Sequence, residues 1–436
     1  MAPSEHEAAA VAAIAERRSD LVELLSALIR FDTTARAQHD PPRQEAALQG
    51  YLADRLAACG AQIDLWEPDL TEVADSRMLP AGGLRFDGRP QLAARFAGTG
   101  GGRSLILCGH IDVVAADGDA WTTGPNDPHV RDGRLYGRGA CDMKGGVAAM
   151  VCAAEVLQEL GIRLRGDLTV NTVTDEESFG AGGLASVAHG LRADGCLVPE
   201  PTGGEVWVAC RGSLMPTVTV EGRRGHTGAH PDHHSAGGPV NAIDKAMVVL
   251  DATRRLQEEW RERPDHRHPY LWHGDIVPAI VRGGDWAVTY PASCSITYHV
   301  AYLPAHADAD GWGTRVEHEI ENWIARAAAS DAWLAEHPPK VEWSIDVPPA
   351  EVPDDHPLVV MGSAAAAEVG LGGELAGMDS WHDGATYTRF ASTPAICLGP
   401  GALAVAHTTD EYVPVDELVR CAQAIALTAI RFCGSG

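Results

Sequence analysis

The stretch LILCGHIDVV, residues 105–114, decides the fold, because a short apolar run leads directly into a histidine and an aspartate. A continuous apolar run of this length is typical of a strand that is buried on both faces of a parallel sheet. In such sheets, ligands bind at the carboxyl ends of the strands. His110 and Asp112 therefore stand where a binding site is expected.

Strand and helix signals alternate on both sides of this stretch. Apolar residues at three- and four-residue steps predict one helix over 8–29, and a second helical pattern covers 145–160. Short apolar runs at 168–173, 196–198 and 394–398 predict further strands. This alternation predicts an α/β fold, with a mostly parallel sheet and helices on both faces.

The pattern changes near Arg211. A predicted strand at 214–220 is followed by a helix at 239–257, a pair of strands within 288–302 and a helix at 312–328. A strand–helix–strand–strand–helix–strand order predicts a small α+β domain of ferredoxin-like type, inserted into the first domain.

The length of 436 residues also favours two domains. We expect a catalytic domain formed by 1–210 and 347–436. The inserted domain would span 211–346, with the proline-rich tract at 338–349 as its exit.

More acidic residues and a second histidine follow predicted strands or open predicted helices. Because these positions meet at one edge of a parallel sheet, we expect their side chains to converge. Any one of them alone would be interpreted as a solvated surface charge. The set comprises His110, Asp112, Asp142, Glu176, Glu177, Glu200 and His407.

Five carboxylates in one crevice are strongly unfavourable unless cations are bound. Mixed histidine and carboxylate ligands suit Zn²⁺, with Co²⁺ or Mn²⁺ as substitutes. If Asp142 bridges two Zn²⁺ ions while Glu177 and Glu200 bind one each, a hydroxide between the ions makes the total charge zero. The sequence therefore predicts a two-metal centre.

Two metal ions about 3.5–4 Å apart activate a shared water and polarise a carbonyl group. We therefore expect hydrolysis of an amide bond by a water that bridges the metals. In the pair Glu176 and Glu177, one residue would coordinate a metal and the other would act as general base. Asp112 is expected to accept the second ring N–H of His110 and to fix its tautomer.

Five motifs occur in order over nearly the whole chain: GHIDVV, GRGACDMKGG, TDEES, PEPT and AHTTDEY. Together they resemble the M20 metallopeptidase and aminoacylase family, which includes acetylornithine deacetylase, succinyl-diaminopimelate desuccinylase and glutamate carboxypeptidases. The resemblance implies a zinc-exopeptidase-like catalytic domain with an inserted lid domain. It also implies Glu176 as the general base and Asp112 as the acid that orients His110. The two zinc ions would be held by His110, Asp142 and Glu200, and by Asp142, Glu177 and His407.

The resemblance further implies a homodimer that forms through the lid domain. In this family the lid lends a histidine to the active site of the partner subunit. His226, within GHTG at 225–228, is the best match. It would stabilise the oxyanion of the tetrahedral intermediate.

One departure from the family pattern bears on the substrate. Where many members have a lid arginine that binds a substrate carboxylate, the run ITYHVAYLP at 296–304 has Ala301. Either Arg282 or Arg389 takes over this role, or the substrate has no α-carboxylate. Three residues before the last strand are also of interest: Trp381 and Tyr387 as ring-stacking or packing residues, and Asp383 as a residue that holds the loop in shape.

The leading functional hypothesis is removal of a small N-acyl group, acetyl or formyl, from an amine or amino acid. Two alternatives from the same family are dipeptidase or carboxypeptidase action and deformylation of a formylaminopyrimidine, whose lack of an α-carboxylate suits Ala301. An alternative from another class is a metal-dependent binding protein without catalysis, although no base or ligand is missing.

Composition argues against several partners. The 34 basic and 60 acidic residues give a net charge of −26, which repels phosphate backbones and anionic membranes. A small-molecule substrate is therefore expected, with neither nucleic acid nor membrane as a partner. The ten cysteines lack pairing motifs, and no run of about 18 apolar residues occurs, so we expect a cytoplasmic protein with reduced thiols.

Overall fold

A computed structural model describes residues 4–35, 42–69, 71, 73, 76–79, 85–116, 120–229 and 232–436. The helices of this part of the chain are α1 (Glu5–Glu16), α2 (Arg18–Arg30), α3 (Glu45–Ala58), α4 (Lys144–Glu159), α5 (Glu176–Phe179), α6 (Ala181–Ala188), α7 (Ala242–Glu262), α8 (Thr314–Ala329), α9 (Pro357–Glu368), α10 (Gly384–Phe390) and α11 (Val415–Cys433). Its strands are β1 (Gln62–Trp66), β2 (Gln91–Phe96), β3 (Leu105–His110), β4 (His129–Arg131), β5 (Arg134–Tyr136), β6 (Leu168–Val173), β7 (Gly195–Val198), β8 (Val206–Cys210), β9 (Gly212–Glu221), β10 (Asp275–Gly283), β11 (Ser293–Tyr302), β12 (Lys340–Val347), β13 (Ala350–Glu351), β14 (Leu375–Met378), β15 (Ala395–Cys397) and β16 (Tyr412–Pro414).

The largest sheet has the strand order β1–β2–β6–β3–β7–β15–β8–β13, and β14 also pairs with β8. Its central strands β6, β3, β7 and β15 are parallel to one another. Antiparallel pairs flank this centre on both sides. The predicted α/β fold with a mostly parallel sheet is thus confirmed at the centre, where the site lies.

Strand β3 is buried along its whole length. Leu105 and Leu107 belong to the core that includes α4 and α11, while Ile106 and Cys108 pack in a second core with residues of α6 and α10. The alternation of side chains along a strand thus gives each face its own helical layer. This explains why the run LILC has no polar residue.

The second sheet has the order β10–β11–β9–β12, in which neighbours are antiparallel. Together with α7 and α8 it shows the predicted strand–helix–strand–strand–helix–strand arrangement, and both helices contribute to its core. The domain limits at 211 and 346 stay a prediction. The sheet itself begins at Gly212 and ends at Val347.

Three predicted elements lie elsewhere or are divided. The single helix expected over 8–29 is in fact two helices, α1 and α2, which meet at Arg17. The apolar periodicity of the sequence runs across this break because Ile14 and Leu21 face the same core. The first strand of the pair expected within 288–302 is β10, an edge strand with a register irregularity after Pro278. The proline-rich tract at 338–349 contains the strand β12.

The two sheets are joined at their closest point by Arg211, because β8 ends at Cys210 and β9 begins at Gly212. The return connection has two residues, between the end of β12 at Val347 and the start of β13 at Ala350. Short paired connections of this kind fix where the inserted domain stands relative to the edge of the central sheet.

All ten cysteines are free, and nine of them are buried. None of the helices in the described ranges is both long and apolar enough to cross a bilayer. A cytoplasmic location stays a prediction, with which free thiols agree.

We predict that Leu107→Ala lowers the free energy of unfolding by about 2–5 kcal/mol, because it opens a cavity under the strand that carries His110. Urea unfolding followed by tryptophan fluorescence measures this change. The matched control is Leu65→Ala on the edge strand β1, where the side chain is 44% exposed; its effect should be about 0.5 kcal/mol or less. Equal losses for the two variants would contradict the placement of β3 at the centre of the core.

Candidate active site

The predicted site residues lie together at the carboxyl edge of the parallel strands. His110 is the last residue of β3, Glu176 opens α5 after β6, and Glu200 follows β7. Asp142 stands two residues before α4, and His407 follows β15 through a loop. Four consecutive positions of the parallel sheet therefore deliver the charged side chains to one crevice.

Asp142 lies between the two histidines. Its Oδ1 is 3.2 Å from His110 Nε2, and its Oδ2 is 3.3 Å from His407 Nε2. The two oxygens of one carboxylate thus face different imidazoles. This is the arrangement that a bridging ligand between two cations requires.

The glutamates divide between the two histidines. Glu177 Oε2 is 3.2 Å from His407 Nε2, while Glu200 Oε1 is 4.0 Å from His110 Nε2. Glu176 Oε2 is also near His110 Nε2, at 3.9 Å. The structure thus groups Glu177 with His407, and both Glu176 and Glu200 with His110, around Asp142.

The electrostatics of the crevice show a shortage of positive charge. Burial raises the pKa values of Glu176 and Glu200 well above their usual range. Hydrogen bonds to Asp142 and Glu177 raise the pKa of His407 to about 10. Burial would raise the pKa of Asp142, but hydrogen bonds from both histidines lower it below its usual range. Protons thus supply the positive charge that the buried carboxylates need.

This donor set fits two divalent cations. Asp142 and Glu200 are only 8% and 4% exposed, and Glu177 Oε1 is buried with no hydrogen-bond partner among the described residues. Buried carboxylate oxygens are normally paired, so an unpaired one in a crevice of carboxylates is typical of a cation ligand. Imidazole and carboxylate together are ligands that Zn²⁺ prefers.

Asp112 acts through a different atom from the one expected. The backbone oxygen of Asp112, 2.9 Å from His110 Nδ1, accepts the second ring N–H, whereas the carboxylate Oδ1 is 3.7 Å away. The carboxylate instead accepts hydrogen bonds from the backbone N–H groups of Glu176 and Glu177, at 3.3 and 3.0 Å. Asp112 therefore fixes the tautomer of His110 and also holds the loop that presents both glutamates.

Sequence reasoning missed the role of Glu411, although it lies within the motif AHTTDEY. This fully buried carboxylate accepts hydrogen bonds from the backbone N–H groups of Cys141 and Asp142, at 2.8 and 3.0 Å. Its other oxygen accepts a hydrogen bond of 2.7 Å from Arg138. Glu411 thus positions the backbone that carries Asp142. Only its place beside Asp410 and His407 in the motif hinted at this.

A cavity of about 460 Å³ opens from the charged residues toward the inserted domain. Ala301 lines it, so the missing arginine of this strand does face the substrate space. The residues that line the cavity include neither Arg282 nor Arg389, and Arg389 donates a hydrogen bond to the backbone of Pro349. The arginine that does line the cavity is Arg211, at the junction of the two sheets.

The three residues singled out before the last strand have different surroundings. Trp381 lines the cavity, whereas Tyr387 is fully buried and donates its hydroxyl hydrogen to Asn171. Tyr387 is thus a packing residue. Asp383 is buried, both of its carboxylate oxygens lack a hydrogen-bond partner within the described ranges, and burial raises its pKa to about 7. No side-chain hydrogen bond from Asp383 caps α10, so the expected loop-holding contact is not observed.

His226 lies on the inserted domain, away from the cavity of its own chain. Its side chain is exposed, and its Nδ1 accepts a hydrogen bond of 3.0 Å from the backbone of Gly228. The predicted contribution of His226 to a partner's active site stays a prediction.

The sequence profile of peptidase family M20/M25/M40 matches residues 106–431. The chain belongs to this family. Members include relatives named N-formyl-4-amino-5-aminomethyl-2-methylpyrimidine deformylase, of which that from Bacillus subtilis is 27% identical over 438 residues, with 96% of each chain covered. A succinyl-diaminopimelate desuccinylase from Xanthomonas oryzae is 31% identical over 400 residues, which cover 89% of this chain and 93% of the relative.

Solved structures agree with this membership. A tripeptidase from Staphylococcus aureus superposes with a TM-score of 0.70 at 19% identity, covering 95% of this chain and 98% of the other. An M20 family metallo-carboxypeptidase from Sulfolobus solfataricus gives a TM-score of 0.68 at 14% identity, covering 95% and 99%. Identities this low show the shared fold alone. Family membership makes this chain a metal-dependent hydrolase of amide bonds, as the sequence predicted.

We predict that Glu411→Ala destabilises the metal-free protein by about 3–5 kcal/mol, because the buried Arg138 loses the carboxylate that neutralises its charge. Urea unfolding after chelator treatment measures this loss. Asp416→Ala is the control, since its ion pair with Arg18 is exposed and contributes about 0–1 kcal/mol. The double variant Arg138→Met/Glu411→Ala should recover part of the loss. A double variant less stable than either single variant would show that the hydrogen bonds from Arg138 to the backbone oxygens of Thr408 and His407 outweigh the cost of its unpaired charge.

Proposed function

We propose that the chain is a two-zinc N-deacylase that removes a formyl or acetyl group from a small amine without an α-carboxylate. The observation that carries the proposal is Asp142, whose two carboxylate oxygens face His110 and His407 separately. One zinc ion would be held by His110, Asp142 and Glu200, and the other by Asp142, Glu177 and His407. Co²⁺ or Mn²⁺ are substitutes that the same ligands accept.

When bound, two such ions lower the pKa of a water between them and polarise the amide carbonyl. Glu176 is the general base: it accepts a proton from the attacking water and transfers it to the leaving nitrogen. The two hydrogen bonds from the backbone to Asp112 hold Glu176 and Glu177 in place, with Glu176 near His110 and Glu177 near His407.

The walls of the cavity support a neutral, partly apolar substrate. Its apolar lining includes Met215, Ile345, Val347, Met378 and Trp381, and its uncharged polar lining includes Ser178, Ser213 and Ser380. Ala301 adds a small apolar surface where the family resemblance places a carboxylate-binding arginine. Two relatives named as pyrimidine deformylases match 96% and 97% of this chain, and the ring named in their substrate suits an apolar wall with a tryptophan.

A second candidate is an acylated amino acid with a free carboxylate, and Arg211 favours it. The guanidinium of Arg211 lines the cavity and is largely buried. However, its Nε donates to the backbone oxygen of Asp379 at 2.9 Å, and its Nη1 donates to that of His273 at 3.0 Å. These bonds make Arg211 a link between the two domains. They leave fewer of its guanidinium N–H groups free to bind a substrate carboxylate.

We further propose a homodimer that forms through the inserted domain. The edge strand β10 exposes Val277, Ile280 and Val281 by 41%, 44% and 55%, and α7 exposes Met247 by 50%. An unpaired strand edge with apolar side chains is a surface that pairs with a second chain. His226 pairs with the backbone of Thr289 near the exposed Trp286, so pairing at this face would bring it to the partner.

We predict that Glu176→Ala retains as many metal ions per chain as the natural protein but lowers kcat by about 10²–10⁴-fold, because a general base is not a ligand. Metal analysis after dialysis and initial-rate assays measure the two quantities. Glu177→Ala is the matched comparison and should lose metal. Loss of metal from Glu176→Ala alone would reverse the roles of the two glutamates.

We predict that the zinc-loaded protein prefers N-formyl and N-acetyl aminomethylpyrimidines over N-acetyl and N-succinyl amino acids, as measured by amine release and compared as kcat/KM. The reason is the apolar surface at Ala301. The opposite result would be a higher kcat/KM for the carboxylate-bearing compounds. If Arg211→Gln then lowers that kcat/KM, an acylated amino acid is favoured as the substrate.

We predict that mixing Glu176→Ala chains with His226→Ala chains restores activity, because a mixed dimer has one site with both residues intact. Each variant alone should be reduced by about 10²-fold or more. Activity is measured after subunit exchange at low protein concentration. If His226 acts within its own chain, the mixture will be no more active than its parts.

A further inference from the structure

A cluster of possible metal ligands lies in the inserted domain, separate from the active-site residues. Asp265, His266 and His306 each place one ligand atom within 4.8 Å of the others. The same criterion groups His110, Asp142 and Glu177 in the active site. The cluster therefore has the spacing of ligands that surround a cation position.

His266 has no ordinary structural partner. The residue is 2% exposed, and neither of its ring nitrogens has a hydrogen-bond partner among the described residues. Its ring stacks on Trp260 with a centroid distance of 4.8 Å, which accounts for the packing of the ring faces but not for its nitrogens. Because buried polar groups are nearly always bonded, a ligand for His266 is expected.

His306 is oriented as a metal-binding histidine. Its Nε2 lies 3.0 Å from the backbone oxygen of Asp265 and donates its hydrogen to it. That bond leaves the lone pair on Nδ1, which is buried and has no partner within the described ranges. Histidines that bind metals commonly donate their other ring N–H to a carbonyl oxygen in this way. The rings of His306 and His266 lie side by side, with centroids 4.1 Å apart.

The surrounding charges also favour a divalent cation. The carboxylate of Asp265 accepts two hydrogen bonds from Arg263, at 3.1 and 2.8 Å, and Arg263 also pairs with Glu319 and lies 4.0 Å from Glu259. This group has one positive and three negative charges, so a divalent cation would make it neutral. A ligating carboxylate that is held by a further hydrogen bond is a common arrangement.

We propose that Asp265, one ring nitrogen of His266 and Nδ1 of His306 bind a Zn²⁺ ion, with water at the exposed side of Asp265 as the fourth ligand. The ion would join the turn after α7, at 264–266, to the turn after β11, at 304–306. It is a structural ion of the inserted domain. By pinning the end of β11, it would stabilise the strand that brings Ala301 to the cavity.

Metal counting tests this site independently of the active site. After incubation with Zn²⁺ and dialysis against metal-free buffer, the natural chain should hold three ions, and His266→Gln/His306→Gln should hold two. The control His318→Ala, an exposed histidine on α8 of the same domain, should hold three. In the background His110→Ala/His407→Ala, the count should be one, and it should fall to zero on adding the His266 and His306 substitutions. An equal count with and without those substitutions would overturn the proposal, whatever the active site holds.

A measurement on the natural chain removes the dependence on folding of the variants. Crystals of the dialysed zinc-loaded protein should give an anomalous difference peak at the zinc edge between His266 and His306. If this peak is absent, the proposal is overturned, whether or not the crystals show zinc peaks elsewhere.

Discussion

Asp142 is held between two histidines that come from distant parts of the chain, and the rest of the active site depends on this contact. His110 reaches it from the end of β3, and His407 reaches it from the loop after β15. Glu411 binds the backbone N–H of Asp142 and is itself neutralised by Arg138. A shift of Asp142 would therefore break its contacts with both histidines at once, and the buried ion pair of Glu411 and Arg138 holds its backbone in place.

The same crevice gathers more negative charge than a protein interior tolerates. Burial raises the pKa values of Glu176, Glu177 and Glu200, and protons on the histidines compensate part of the charge. Divalent cations replace those protons with a larger and fixed positive charge, so metal binding and stability of this edge of the sheet are coupled. In the function proposed above, the carboxylate that stays free of the metals, Glu176, would be the one that moves protons.

The inserted domain supplies several of the residues that line the cavity. Its sheet and the central sheet meet at Arg211, whose hydrogen bonds to Asp379 and His273 cross the junction. The residues of β9, β11 and β12 that line the cavity are mostly apolar or small, and Ala301 is one of them. In the proposed function, the central sheet would carry the chemistry and the sheet of the inserted domain the specificity. The proposed zinc ion at His266 and His306 would stabilise the sheet of the inserted domain without taking part in the reaction.

The sequence by itself determined the α/β class, the inserted α+β unit and the candidate ligands, because each ligand follows a strand or opens a helix whose apolar pattern is local. It placed β10 and β12 poorly, since an edge strand that contains Pro278 and a strand flanked by prolines lack the apolar run of a buried strand. Only the tertiary structure decided which atom of Asp112 binds His110 and that Glu411 positions Asp142. It also decided that Tyr387 is a packing residue. Finally, it showed that Arg211 lines the cavity, whereas Arg282 and Arg389 do not. These outcomes depend on distances between residues far apart in the chain. Local patterns fix which side chains reach the sheet edge, whereas the packing of the two sheets fixes which of their atoms meet.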